Sequence, residues 1–294
     1  MRSFFRRHYL TYRAFTLNRP ENDCVSLRRK QAVRPRQPRW PPAKCAIGDL
    51  FNNEHGVPPR LRALPQRNPI QMENMHLSSV LAFIFDIDGT LVDSNELHVD
   101  SWDRAFRRFG KQFTREQLRA QIGKGSDQYL PEFLTSEEIR RFGKELDEYR
   151  SELFRKEYLP KVRPFPKVCE LFQRIHEDNK RIMLASSGKK DDTEYYVDLL
   201  KISDLIDGCV SGDDADNSKP APDIFAASLE KLGDISPADG VTVGDTRFDI
   251  EAAGKVGLKT VAFLCGGATE SVLREAGAIA ICRDPADLLA CYTR

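Results

Sequence analysis

Two aspartates one residue apart, Asp86-Ile87-Asp88, are followed at once by Gly89-Thr90 and preceded by the apolar run Val80 to Phe85. Alternate side chains of an extended chain point the same way, so both carboxylates can face one site while Gly89 lets the backbone turn away. Two acids so placed repel each other unless a cation lies between them or one keeps its proton. Such a pair can supply a nucleophile and a proton carrier, or hold a metal. Taken alone, Asp-x-Asp-Gly is also an ordinary turn.

Three later segments end apolar runs in the same manner. Arg181-Ile182-Met183-Leu184-Ala185-Ser186 closes on a hydroxyl, with Ser187-Gly188 expected to open a helix. A hydroxyl with free backbone N–H groups makes an anion cradle, and Ser186 would serve equally as a helix N-cap. Ser218-Lys219-Pro220-Ala221-Pro222 puts a point charge before a helix, suited to a phosphoryl oxygen or to neutralising Asp86, where a solvated lysine is the default. Val241-Thr242-Val243-Gly244-Asp245 brings a further acid, and Asp249 follows one helical turn later. Carboxylates with a backbone carbonyl and water suit Mg²⁺, whereas two helix-capping acids are the bland alternative.

The elements that must position these residues are short apolar strands alternating with helices, the pattern of a parallel α/β sheet covered on both faces. Expected strands are Val80 to Asp86, Arg181 to Ser186, Gly208 to Ser211, Val241 to Asp245, Thr260 to Leu264 and Ala278 to Cys282. Amphipathic segments lie at Ala221 to Leu232 and Asp249 to Val256. Ligands of such sheets bind at the carboxyl ends of the strands, where each segment above terminates. Residues 95–163 interrupt the alternation with helices alone and read as an inserted domain. Its clearest helix runs from Ser136 to Tyr158, with Ile139, Phe142, Leu146, Tyr149 and Leu153 on one face, Thr135 and Glu138 as a capping box, and Pro160 as a stop. The division expected is a leader over residues 1–77, a core over 78–94 and 164–294, and a helical insert over 95–163.

In order, Asp-x-Asp, Ser, Lys and Gly-Asp-x-x-x-Asp resemble the haloacid dehalogenase-like hydrolase superfamily, over Val80 to about Leu264. The insert lies where that family's helical C1 cap belongs. Asp93-Ser94, His98, Trp102 and the loop Ile122-Gly123-Lys124-Gly125-Ser126-Asp127-Gln128 look like the cap entry and cap loop of the group holding phosphoglycolate phosphatases and β-phosphoglucomutases. The resemblance implies a Rossmann-like core and an Mg²⁺-dependent phosphatase acting on a small phosphorylated metabolite, a sugar phosphate or a phosphoglycolate-like compound, through an aspartyl-phosphate. It makes Asp86 the nucleophile and Asp88 the general acid and base. Metal ligands are then Asp86, the Asp88 carbonyl and Asp245, with Asp249 ligating directly or holding metal-bound water, and Ser186, Ser187 and Lys219 lie on the phosphoryl group. His98 reads first as a hinge hydrogen-bonder and second as a substrate contact; Lys124, Ser126 and Gln128 read as substrate-side residues of the cap.

Asp88 argues against a dehalogenase or a phosphonatase. A β-phosphoglucomutase-like phosphotransferase shares every motif, although Lys124 to Asp127 lacks the arginine that group's loop usually offers. A non-catalytic binding or regulatory protein on the same fold has no need of all the catalytic groups present.

Composition bounds the rest. Residues 1–77 carry 15 Arg and Lys against 5 Asp and Glu and hold 9 of the 17 prolines, whereas the remainder is acidic, with 30 against 39. The leader is expected to be disordered, and reads as an organelle transit peptide, a functional tail, or an inert extension or untranslated sequence from a wrong start codon. The acidic body gives no electrostatic case for nucleic acid, and no apolar run reaches membrane-span length. Seven scattered cysteines without a Cys-x-x-Cys pair read as reduced thiols of a cytoplasmic protein, or an organellar one if the leader is a transit peptide. The oligomeric state is not legible.

Overall fold

The computed structural model describes residues 79–292; the leader expected over residues 1–77 lies outside the described residues. Strands form at β1 (Ala82–Phe85), β2 (Val92–Asp93), β3 (Arg163–Pro164), β4 (Arg181–Ala185), β5 (Gly208–Val210), β6 (Gly240–Gly244), β7 (Lys259–Phe263) and β8 (Ala280–Cys282). Helices within the insert are α1 (Asn95–Arg108), α2 (Arg115–Arg119), α3 (Ser126–Tyr129), α4 (Ser136–Glu138) and α5 (Lys144–Leu153). The remainder are α6 (Val168–Glu177), α7 (Lys190–Leu200), α8 (Asp223–Leu232), α9 (Arg247–Lys255), α10 (Glu270–Glu275) and α11 (Pro285–Tyr292).

Six strands make one parallel sheet in the order β5-β4-β1-β6-β7-β8. All six expected strands are present. Each ends at the expected residue or one before it, and after β1, β4 and β6 the next residue, Asp86, Ser186 or Asp245, belongs to the site. Strand β1 lies between β4 and β6, where the winding of the chain reverses, so a crevice opens at its carboxyl end.

The period-two alternation of β1 explains why its sequence is continuously apolar. Phe83 and Phe85 join Ile182, Leu184, Val241, Val243 and Phe172 on one face. Ala82 and Ile84 join Met183, Phe225, Ala252 and Ala253 on the other. Both faces are covered by helices, so no β1 position can be polar until Asp86. The ring of Phe85 lies 4.7 Å from that of Phe172 on α6, at the centre of the first layer.

The insert has its own core, in which Trp102 and Phe106 of α1 meet Leu118, Tyr129 and Leu146. The single helix expected from Ser136 to Tyr158 is instead α4 and α5 interrupted by two widened π turns, Ile139–Gly143 and Phe154–Tyr158. Each π turn shifts the helical phase. Along α5 the apolar stripe passes from one core to the other: Leu146 packs in the insert's core, while Leu153 and Phe154 join the sheet's core. The Thr135–Glu138 capping box forms, and Pro160 falls in the turn Leu159–Lys161 that ends the helical run. The chain enters and leaves the insert through the antiparallel pair β2–β3, with Asp93 opposite Arg163, a pairing absent from the expected strands. No helix among the described residues is long and apolar enough to cross a membrane.

Phe172 is fully buried, and its replacement leaves a cavity beside Phe85. Phe172→Ala is expected to destabilise the fold by about 3–5 kcal/mol, measured as a lower urea midpoint with unchanged slope.

Candidate active site

At the carboxyl end of β1 the chain leaves the ladder at Asp86, a residue 6% exposed. Lys219 reaches it from the loop before α8, its Nζ donating to Asp86 Oδ1 and, at 2.9 Å, to the carbonyl of Ala185. The same ammonium lies 2.7 Å from Asp249 Oδ1. A lysine with 1% of its surface exposed needs such partners to stay charged. Burial alone would lower its pKa, but Asp249 and Asp86 outweigh burial and raise it.

The acids crowd one another. Asp86, Asp245 and Asp249 each present an oxygen within 4.8 Å of the others. Burial pushes the Asp86 carboxyl up, Lys219 pulls it down and the charges of Asp249 and Asp88 push it up again, to about 7. Burial, then the neighbouring charges of Asp86 and Asp249, raise Asp245 well above the ordinary carboxylate range. One lysine leaves the trio under-compensated.

Neighbours fix each carboxylate. The Thr90 hydroxyl lies 3.1 Å from both Asp86 Oδ2 and Asp245 Oδ1 and can donate to either. Asn95 uses both amide hydrogens, on Asp245 Oδ2 and on the Gly266 carbonyl, each at 2.9 Å. A Cβ at Gly266 would stand 1.7 Å from Asp245 Oδ2, so only glycine admits this approach. Asp249 is the third residue of α9 and completes a capping box with Thr246. Its Oδ2 accepts from the Thr246 amide and hydroxyl at 3.0 and 2.6 Å, which leaves Oδ1 for the site. That oxygen is buried without a hydrogen bond of good geometry. Three crowded buried carboxylates, each with an oxygen turned toward the others and only Lys219 between them, are a donor set that fits a hard divalent cation.

Asp88 is held differently. Its Oδ1 accepts from Ser94 Oγ at 2.6 Å and Tyr196 OH at 2.9 Å, and lies 2.8 Å from His98 Nε2. Arg150 donates to His98 Nδ1, so the proton on the ring lies on Nε2 and points at Asp88. Burial raises the Asp88 pKa, but His98, Ser94 and Tyr196 together bring it down to about 2.

A cavity of about 270 Å³ joins Asp86 and Asp88 to the insert. Ser186 and Ser187 line it, the hydroxyl of Ser186 accepting from the Gly188 amide at 3.0 Å and that of Ser187 buried without a partner. The helix expected at Ser187-Gly188 begins only at Lys190, so residues 186–189 form an open loop rather than a capped helix start. Ser186 is therefore not an N-cap. Similarly α8 begins after Pro222 rather than at Ala221.

Of the expected insert residues, His98, Lys124 and Ser126 line the cavity and Gln128 does not; the Gln128 amide turns to Asp127 Oδ2. Lys124 is bound to Glu132 at 2.6 Å. The insert loop closes on the core, with the Gly125 amide donating to Ser218 Oγ at 2.8 Å and the Ser218 amide to Asp127 Oδ2 at 3.0 Å. Sequence reasoning missed Asn95, Arg150 and Tyr196. Nothing in the pattern distinguishes Tyr196 from any buried helix residue, and Arg150 reads as one more polar residue of a long helix. Thr90 was visible within its motif but carried no assigned role.

Comparison with known proteins places these features. Residues 83–263 match the family model described as haloacid dehalogenase-like hydrolase. A phosphorylated carbohydrates phosphatase of Thermotoga maritima is 27% identical over 213 residues, 71% of this chain and 96% of that protein. A phosphoglycolate phosphatase of Aquifex aeolicus is 29% identical over 188 residues, 62% of this chain and 84% of its own length. The crystal structure of a hydrolase from Pseudomonas syringae superposes with a TM-score of 0.65 at 27% identity, covering 73% of this chain and 98% of that one.

Tyr196→Phe removes one of three donors to Asp88 Oδ1. The Asp88 carboxyl is expected to rise by roughly one pKa unit, since a hydrogen bond to a charged group contributes about 1.5–3 kcal/mol. Carbon NMR titration of that carboxyl checks it.

Proposed function

The chain belongs to the haloacid dehalogenase-like hydrolase family, and from that premise we propose that it is a divalent-metal-dependent phosphatase of small phosphorylated metabolites. The observation that carries the reading is the pairing of Asp86 with Asp88. Asp86 is a carboxylate at a strand end, gripped on Oδ1 by Lys219, and it shares a cavity with a second carboxylate oriented by three donors. That the relatives are named as phosphatases supports the same reading.

In this reading the phosphoryl group docks against Ser186, Ser187 and Lys219, whose hydroxyls and ammonium face the anion. Asp86 attacks phosphorus, forming an aspartyl-phosphate while the P–O bond to the leaving alcohol breaks. Asp88 delivers the proton to the departing oxygen and then takes one from the water that hydrolyses the acyl phosphate. Asp86, Asp245, Asp249 and the Asp88 carbonyl would hold Mg²⁺, which when bound screens the phosphate's negative charge. Residues 95–163 act as a cap that closes the cavity and excludes water, and 78–94 with 164–294 form the catalytic core.

Hydrolysis of p-nitrophenyl phosphate with and without Mg²⁺ tests the proposal. Asp86→Asn is expected to abolish turnover, and Asp88→Asn to lower kcat by about 10²–10⁴-fold although the nucleophile is intact. Undiminished turnover by Asp86→Asn would sink the reading.

The crowded acids add a test that needs no turnover. The folded value near 7 for Asp86 lies above the usual 3.8, so the fold binds a proton more tightly than the unfolded chain does. Stability of the metal-free protein from this group is intact below about pH 4 and declines as pH rises toward about 7. Mg²⁺ competes with that proton. The rise in Tm on adding Mg²⁺ is therefore expected to be larger at pH 7.5 than at pH 5, read by scanning calorimetry against an EDTA control; an equal or smaller rise would contradict the metal site.

A further inference from the structure

The cavity beyond Asp86 and Asp88 is lined by more carboxylates than cations. Asp127, Asp147, Asp192, Asp213 and Asp216 face Lys124, Lys189 and Arg150. Two of the three cations are held by close partners, and the third, Lys189, has an acidic neighbour. The Lys124 side chain, 6% exposed, binds Glu132 and lies 4.8 Å from the ring centre of Phe248. Lys189 lies 3.6 Å from Asp147. Arg150 donates to His98 and to Ser101 Oγ, between the rings of Trp102 and Phe154 at 4.8 and 4.9 Å. Its charge stands in the field of Asp147, Asp192 and Asp88.

The acids are less well matched. Asp192 pairs with Arg155 at 2.7 Å. Asp127 and Asp213 accept backbone amides, from Ser218 and Lys190. Among the described residues neither has a cation within 4 Å, and Asp216 has neither a cation nor a hydrogen bond. Asp127, Asp213 and Asp216 are exposed at the cavity wall, so an anionic group arriving there meets a net negative, salt-sensitive field, whereas hydroxyls find acceptors at each carboxylate and at Ser126.

We propose that this cavity selects phosphate monoesters whose leaving group is hydroxylated and carries no negative charge, and rejects those bearing a second phosphate or a carboxylate. The inference rests on the phosphatase reading above and narrows it: among phosphorylated metabolites, sugar and polyol monophosphates are taken and bisphosphates and phospho-acids are refused. Lys124, the cation of the loop closing on the core, is held by Glu132 and does not await a second phosphate.

Matched esters test it. Glycerol 3-phosphate and 3-phosphoglycerate differ by a hydroxymethyl against a carboxylate, and glucose 1-phosphate and glucose 1,6-bisphosphate by one phosphate. With Mg²⁺ present, kcat/KM is expected to favour the first of each pair by about tenfold or more, and the preference to shrink as salt is raised to about 0.5 M. The double variant Asp213→Asn, Asp216→Asn should narrow the ratio several-fold by improving kcat/KM for 3-phosphoglycerate. Equal or better turnover of the anionic partner overturns the proposal, as does a preference that neither salt nor the double variant moves. A preference for the anionic esters that Arg150→Gln removes would make Arg150 an anion receptor and likewise overturn it. Failure of the phosphatase reading looks different: no Mg²⁺-dependent turnover of any ester, p-nitrophenyl phosphate included.

Discussion

Mutual repulsion of buried carboxylates is the constraint on which the site depends. Asp86, Asp245 and Asp249 converge within 4.8 Å, and two unit charges about 4 Å apart repel by about 4 kcal/mol at the effective dielectric of a protein site. Lys219 offsets part of this through direct contact with two of the three. The remainder is expressed as raised pKa values at Asp86 and Asp245, and it is what a divalent cation would relieve. A site that is unfavourable when empty and satisfied when a cation arrives binds that cation through the same geometry that destabilises it alone.

Holding the acids together requires that nothing else occupy the space, and the backbone provides for this. Gly266 has no side chain where Asp245 Oδ2 lies, and Gly244 has none where the Asp249 side chain packs, at 2.6 Å from a notional Cβ. Polar neighbours then use up the oxygens that do not face inward. Asn95 takes one oxygen of Asp245, and Thr246 takes Oδ2 of Asp249 as part of an ordinary helix cap. The capping box that looks like a competing explanation for Asp249 is thus what aims its other oxygen. One side chain can cap the helix and face the acid cluster together because a carboxylate has two oxygens.

This coincidence explains what could and could not be read from sequence. The strand ends were legible because burial on both faces forces an apolar run that stops only where a polar residue is needed, as at Phe85 to Asp86 and Gly244 to Asp245. Lys219 was legible by position, although its burial was not. What escaped depends on contacts across long separations: Asn95 meets Gly266 across 171 residues and Tyr196 meets Asp88 across 108. Such pairs leave no local periodicity. The π turns on either side of α5 were hidden for a related reason, since the spacing of Ile139, Phe142 and Leu146 across the first of them fits an unbroken helix equally well.

Asp88 links the chemistry to the position of the insert. Tyr196 comes from α7 of the sheet layer, Ser94 from the crossing next to β2, and His98 from α1 inside the insert, fixed in turn by Arg150 near the end of α5. All three donors meet on Oδ1, which leaves Oδ2 without them. His98 belongs to α1 and Tyr196 to α7, so Oδ1 draws donors from both the insert and the sheet layer. The carboxylate that loses His98 is less stabilised as an anion and takes up a proton more readily. In the proposed reaction Asp88 must be acid in one half and base in the other, and His98 is one of the groups that would set that balance.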